Sequence, residues 1–292
     1  MSHDAPCRNF NELALKNPIS FFDDHLCFVE DGHEYFHDGV KVATSVTSVL
    51  KPMFGEFRPL EVIAKCLPAW QKNPSSPYYE LVRGKTLEAA TDAILESWNA
   101  KKELGTKLHY ELEQALNTNE VCPDIQGAVD LFEREQWTPF RTELSVCWYT
   151  KHRDVPAVAG QLDVLLKDRA GKYVIVDLKR TEKNIHAEML PKTNLPLPFP
   201  KETRANDFNK FSLQLSMYCV MLKQDDICVE ESNRYVLQVH PVTNETRLIN
   251  MRAFDNEARA LLDQLSGCTP DEAPPDPGCT TGEPPHKLRR IG

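Results

Sequence analysis

The chain has 292 residues, a formal net charge of −9 and a hydrophobic share of 41%. That length holds one large domain, or a core with a smaller appendage. The acidic balance argues against coating of nucleic acid by general basicity, while leaving room for a basic groove around an acidic metal site. No apolar run approaches a membrane span, so no membrane partner is expected. The N-terminal Met1-Ser-His-Asp-Ala-Pro-Cys7 has neither a secretory apolar core nor the Arg-rich character of a transit peptide. Nine scattered cysteines include no Cys-x-x-Cys pair. They read as reduced thiols of an intracellular protein, and against a zinc ribbon or an iron–sulfur cluster. Nucleus, cytoplasm and mitochondrion are not separated by these features.

Residues 1–25 read as a loose lead-in. Leu26–Glu30, His33–His37 and Val40–Ala43 then form a three-strand meander, divided by Asp31-Gly32 and Asp38-Gly39, both preferred two-residue hairpin turns. Ser45-Val-Thr47-Ser-Val-Leu follows, with hydroxyls suited either to capping the next helix or to touching a phosphate. Residues 59–72 and 79–99 are expected to be helical. Gly105-Thr-Lys-Leu-His109-Tyr-Glu-Leu-Glu113-Gln-Ala-Leu116 carries a stripe of Leu108, Leu112 and Leu116, with His109 and Glu113 beside it. Read alone, His109 is either a structural residue on the apolar border or a ligand. Asp124–Trp137 is expected as a helix and Thr142–Tyr149 as a strand. Glu143 on that strand stands evenly between an exposed charge and a site residue.

The most informative stretch is Gly160-Gln-Leu-Asp163-Val-Leu-Leu, a polar turn, then Tyr173-Val-Ile-Val-Asp177-Leu178-Lys179. Asp168 suits the first position of a type I turn, and Gly171 the left-handed position that closes a three-residue hairpin. That register pairs Asp168 with Lys172 and sets Asp163 opposite Asp177. A four-residue loop would instead put the two carboxylates on opposite faces. Like charges directly opposite destabilise a sheet, so a hard cation between them is the natural resolution. Lys179 shares the face of Asp177 and is a compact charge able to orient water or a phosphate oxygen. Asp followed by Asp-x-Lys on adjacent strands fits metal-assisted phosphodiester hydrolysis.

Residues 182–209 hold Pro191, Pro196, Pro198 and Pro200 and little periodicity. Both ends of this segment sit beside the site. It is expected either to be a disordered insertion or to arch as a lid over a nucleic-acid strand, with His186, Met189, Leu195, Leu197 and Phe199 as apolar contacts for bases. Phe211–Leu222 returns to helix, with Gln214 and Tyr218 on one face. Two strands, Arg234–His240 and Thr246–Met251, and a helix from Phe254 to Leu265 complete the ordered part. Residues 268–292, with six prolines, read as a disordered tail.

Gly105-Thr-x-x-His109, Gly160-x-x-Asp163, Asp177-x-Lys179 and Gln214-x-x-x-Tyr218 together resemble the RecB-type branch of the PD-(D/E)XK nuclease superfamily. The order and placement match over about 115 residues. The segment from Ser45 is similar, more weakly, to the mitochondrial genome maintenance exonuclease group and related viral proteins. The chain departs from the pattern in having Leu162, not Pro, before Asp163, and in lacking iron–sulfur cysteines and helicase motifs. The resemblance implies a restriction-endonuclease-like α/β core: a mixed sheet of four or five strands flanked by helices. It implies one or two Mg²⁺ or Mn²⁺ ions held by His109, Asp163, Asp177 and the Leu178 carbonyl. Lys179 would position or deprotonate water and Gln214 would orient the assembly. Tyr218, Ser45, Thr47 and Lys210 would contact DNA, either single-stranded or a duplex end. The expected organisation is a lead-in at 1–25, a meander and helical region at 26–137, a nuclease core at 138–267 and a tail at 268–292. The expected activity is a metal-dependent DNA exonuclease, with an endonuclease or an inactive DNA-binding subunit as alternatives.

Overall fold

The computed structural model describes residues 11–149, 155–189, 193–196 and 198–267. The expected tail at 268–292, residues 1–10 and Leu197 lie outside them. Residues 11–25 are not loose. They form α1 (Glu12–Lys16), whose Asn11 cap accepts from Ala14 N–H, and α2 (Ser20–Asp23). Asp23 of α2 accepts a two-pronged bond from the buried Arg141 guanidinium at 2.7 and 2.8 Å, which fastens this segment to the sheet.

The meander is β1 (Leu26–Val29), β2 (Glu34–His37) and β3 (Val40–Lys41), antiparallel throughout. Asp38 at φ +47° and Gly39 at φ +78° make the tight second turn that an Asp-Gly pair favours. A short β4 (Thr44–Ser45) leads into α3 (Val46–Phe54), which is followed by α4 (Pro59–Trp70) and α5 (Tyr79–Val82). Two helices expected at 79–99 and around 105–116 are instead mostly one. After α5, Thr86 caps α6, which runs unbroken from Leu87 to Thr118 and ends at left-handed Asn119. Its first half packs Ala90 and Ile94 against Ile63, Leu67 and Val82. Its second half packs Leu108, Leu112 and Leu116 under the sheet. Burial at both ends holds the helix continuous through Gly105, whose cost of about 1 kcal/mol is small beside that packing.

The main sheet is mixed and has six strands rather than four or five. After α7 (Gln126–Glu135) come β5 (Thr138–Trp148), β6 (Val158–Lys167) and β7 (Tyr173–Arg180). Helix α8 (Asp207–Leu222), β8 (Val229–Val239), β9 (Thr246–Asn250) and α9 (Asp255–Ser266) follow. The order is β4-β6-β7-β8-β9, with β5 on β6. α8 and α9 pack into the cluster on one side and α6 and α7 into that on the other. The meander shares the α8 cluster. No described helix is long and apolar enough to cross a membrane. Cys27 and Cys228 are each held in a disulfide, where thiols were expected, while Cys66, Cys122, Cys147 and Cys219 are free.

Strand β6 positions the site. Strand β5 lies along one edge of it, from Thr138↔Lys167 to Trp148↔Val158. On its other edge β7 pairs only from Lys167↔Tyr173 to Val164↔Val176, and β4 pairs only with Val158 and Ala159. Among the described residues, Gly160–Asp163 face a fork on that edge. β7 meanwhile continues beside β8, from Asp177↔Val236 to Arg180↔Val239.

The segment expected to arch over a bound strand is largely docked. Ile185, Leu195 and Phe199 are buried in the α8-side cluster, and the Phe199 ring meets Phe254 edge-on at 5.5 Å. Leu195 and Ala205 donate main-chain bonds to Thr203 and Thr193, both at 2.7 Å. Asn206 donates to Ala187 and Met189 carbonyls. Leu195 and Phe199 are thus core residues, not contacts for bases; alternation of prolines with large apolar side chains was docking, not display. Phe199→Ala is expected to destabilise the fold by about 3–5 kcal/mol in chemical denaturation, the range for truncating a buried Phe. A loss below about 1 kcal/mol would return the segment to the surface.

Candidate metal centre

The hairpin joining β6 to β7 has the three-residue register. Asp168 N–H donates to Lys172 O at 2.9 Å, the Asp168 carboxylate accepts from Ala170 and Lys172 N–H, and Gly171 sits at φ +78°. The ladder Val164↔Val176 through Lys167↔Tyr173 therefore runs on to set Asp163 opposite Asp177. At that step the backbone pairing stops, and the Asp163 carboxylate itself accepts from Leu178 N–H at 2.6 Å. Leu178, read as a ligand through its carbonyl, is thus engaged here through its amide.

Four further side chains converge. His109, from the second half of α6, brings Nδ1 to 3.5 Å from Asp163 Oδ2. Lys179 brings Nζ to 2.7 Å from Asp177 Oδ2 and to 5.2 Å from the Phe211 ring centre. Gln214, on α8, donates from Nε2 to Asp177 Oδ1 and to the Tyr218 hydroxyl, both at 3.3 Å. The fourth is Glu143. Its carboxylate, the Asp163 carboxylate and a His109 ring nitrogen all lie within 4.8 Å of one another. The β5–β6 pairs Thr142↔Val164 and Leu144↔Leu162 put Glu143 opposite Asp163, and Glu143 has φ +47°. A non-glycine residue in the left-handed region is strained, and such strain gathers at functional sites. The Gln161 amide holds the Glu143 carbonyl at 3.0 Å. The sequence left Glu143 undecided because nothing in a strand-like segment announces a left-handed Glu; its offset from Asp163 was the available signal.

The electrostatics are those of a crowded site. Burial pulls the His109 imidazolium down, but Asp163, with Glu143 adding, outweighs it and raises the pKa from 6.5 to about 9. Burial pushes the Asp163 carboxyl up, yet His109, Lys179 and the Leu178 amide together hold it below its ordinary value. Asp177 goes the other way, raised by burial and by the Asp163 charge against the pull of Lys179. Lys179 stays firmly protonated, because Asp177 and Asp163 overcome its own burial. Buried Asp177 Oδ2 has Lys179 Nζ as its partner at 2.7 Å. An imidazole and convergent carboxylates form a donor set that suits Mg²⁺ or Mn²⁺.

The remaining expected residues divide. Ser45 caps α3, accepting from Ser48 N–H at 3.2 Å, so its hydroxyl is structural in part. Thr47 is exposed on the first turn of that helix. Lys210 is half-buried; burial, with Lys179 and Lys183 nearby, lowers its pKa despite Asp207. Tyr218 does not present itself to a ligand from solvent. It is 3% exposed and packs on Gly160, where an added Cβ would lie 2.7 Å from Tyr218 Cε1 and 2.9 Å from Val46 Cγ2. Its hydroxyl accepts from Gln214, so in this structure Tyr218 packs and positions rather than standing exposed. Gly160 is glycine because β6, α3 and α8 meet there.

No protein-family model matches the chain, and no curated protein matches it. A solved structure described as "Crystal structure of SSO0001" is similar over 77% of this chain and 76% of that one, with 16% identity and a TM-score of 0.35.

The raised pKa of His109 has a measurable consequence. Its folded value lies above 6.5, so its protonation stabilises the metal-free protein fully below about pH 6.5 and fades as pH rises through about 9. The stability gap between wild type and His109→Gln, measured by denaturation with chelator present, should therefore shrink between about pH 6 and about pH 9.5. A pH-independent gap would separate His109 from Asp163.

Proposed function

We propose that the chain is a Mg²⁺- or Mn²⁺-dependent deoxyribonuclease, acting as an exonuclease in replication, repair or recombination. The observation that carries this reading is the meeting of Asp163, Asp177, Lys179, His109 and Gln214 at the fork between β6 and β7. Two strands and two helices contribute, and no packing need accounts for opposed carboxylates there.

In this reading Asp163, Asp177, Glu143 and His109 supply the donors for the ion. Bound there, the metal would make its water acidic and stabilise charge on the phosphate. Lys179 keeps its proton on Nζ and offers that charge to a non-bridging phosphate oxygen or to the attacking water. Gln214 fixes Asp177 Oδ1, so that Oδ2 stays turned towards Lys179 and the ion. Tyr218, buried behind Gln214, fixes that amide in turn. Thr47, with Ser45 at the start of α3, and Lys210 would steady the DNA backbone on either side.

Asp177→Asn and Lys179→Ala should each remove at least ~100-fold of the metal-dependent cleavage, while DNA binding in Ca²⁺ largely survives. The assay is a gel with 5′- and 3′-labelled single- and double-stranded DNA, alongside covalently closed circles, with and without Mg²⁺. Wild-type cleavage by either variant would move the active centre elsewhere. Cutting of closed circles would make the enzyme an endonuclease, and binding without cleavage would make it a DNA-binding subunit.

A further inference from the structure

A second group of ligand-type side chains lies at the far end of the meander, outside the fork. His25 immediately precedes β1, His37 ends β2, and Asp38 begins the turn to β3. The register Leu26↔His37 continues to set His25 opposite Asp38, and Asp38 N–H donates to the His25 carbonyl at 2.9 Å. Neighbouring residues on a strand point to opposite faces, so His37 and Asp38 would ordinarily diverge. The left-handed conformation of Asp38, φ +47°, breaks that alternation and brings its carboxylate back towards the His37 ring.

The result is convergent. The His25 Nδ1 atom lies 3.0 Å from Asp38 Oδ1, and His37 Nδ1 lies 3.7 Å from Asp38 Oδ2. One ligand atom from each of the three residues falls within 4.8 Å of the others. The His37 side chain is only 8% exposed, and 3.7 Å is too long for a hydrogen bond. A buried imidazole nitrogen thus faces a carboxylate without bonding it. A tetrahedral Zn²⁺ with ligand bonds of about 2.0–2.2 Å holds its ligand atoms roughly 3.3 Å apart; here the two imidazoles approach different oxygens of the same Asp38 carboxylate, at 3.0 and 3.7 Å. The Tyr149 ring, packed edge-on against His37 at 5.1 Å, fixes that imidazole on its inner side.

We propose that His25, His37 and Asp38 form a transition-metal site of zinc type, separate from the nuclease centre. Two imidazoles and one carboxylate favour Zn²⁺ over Mg²⁺ or Ca²⁺, which take oxygen. Three protein ligands leave the fourth position to water on the exposed side, where the His25 and Asp38 side chains are 50% and 58% exposed. The ion joins the entrance of β1 to the β2–β3 turn, next to the α2 segment that Arg141 holds to the sheet.

The test strips the full chain with chelator and titrates it with Zn²⁺, with Asp163→Asn alongside to account for any Zn²⁺ taken by the His109 centre. Asp163→Asn should still bind one Zn²⁺, and Co²⁺ in its place should give the strong visible absorption of a tetrahedral ion. His25→Ala and Asp38→Asn both alter exposed side chains, and Asn tolerates the left-handed turn. Each should weaken Zn²⁺ binding by at least ~10-fold. The proposal is overturned if wild type takes up no Zn²⁺, if either meander variant binds it as wild type does, or if Asp163→Asn abolishes it. None of these readouts depends on nuclease activity, so this site and the nuclease reading fail separately.

Discussion

Everything at the candidate centre depends on β6 and β7 parting company after four paired residues. Had the ladder continued past Val164↔Val176, backbone bonds would have closed the space that Asp163 and Asp177 now occupy. Two arrangements keep it open. β4 takes the other end of the same edge of β6, at Val158 and Ala159, which turns α3 into the gap. β8 draws β7 away by pairing in parallel through Arg180↔Val239. The amide left at Leu178 is satisfied by a side chain, Asp163, so the carboxylate completes the strand it faces.

Much of this was legible in the chain. The hairpin register follows from Asp168 and Gly171 because turn chemistry is local, and turn chemistry decides which face each carboxylate takes. The order of strands and helices follows from apolar periodicity. What was not legible depends on partners distant in sequence. Tyr218 took its expected DNA contact from the resemblance alone, and only the close approach that Gly160 permits explains its burial. Leu195 and Phe199 looked like contacts for a ligand because a segment without periodicity gives no sign of what it packs on. The unbroken α6 was hidden because continuity through Gly105 is set by two separate packing surfaces, not by local preference. Glu143 was weighed but not chosen, since its left-handed backbone is imposed by the strands around it.

Two buried ion pairs keep the frame around the fork in register. Arg141 of β5 holds Asp23, and Arg234 of β8 holds Asp255 at the start of α9. Each guanidinium is almost wholly removed from water, so removing either carboxylate would strand a buried charge, at a cost of about 3–5 kcal/mol. Neither pair touches the carboxylates of the centre. They fix the outer strands and the helices laid on them, and so the angle at which α8 delivers Gln214.

The hairpin also bears on the order in which the molecule is assembled. Asp163, Asp177 and Lys179 lie within 17 residues of one another, so a local turn suffices to bring them together. His109 and Gln214 arrive from helices far away in the chain, and their contacts wait for long loops to close. A nascent hairpin therefore carries its own counter-charge: Lys179 offsets the two carboxylates before any helix has docked. That lysine serves the polypeptide first as an internal cation that lets the sheet begin to form, and only the finished fold sets the same charge beside His109 and Gln214.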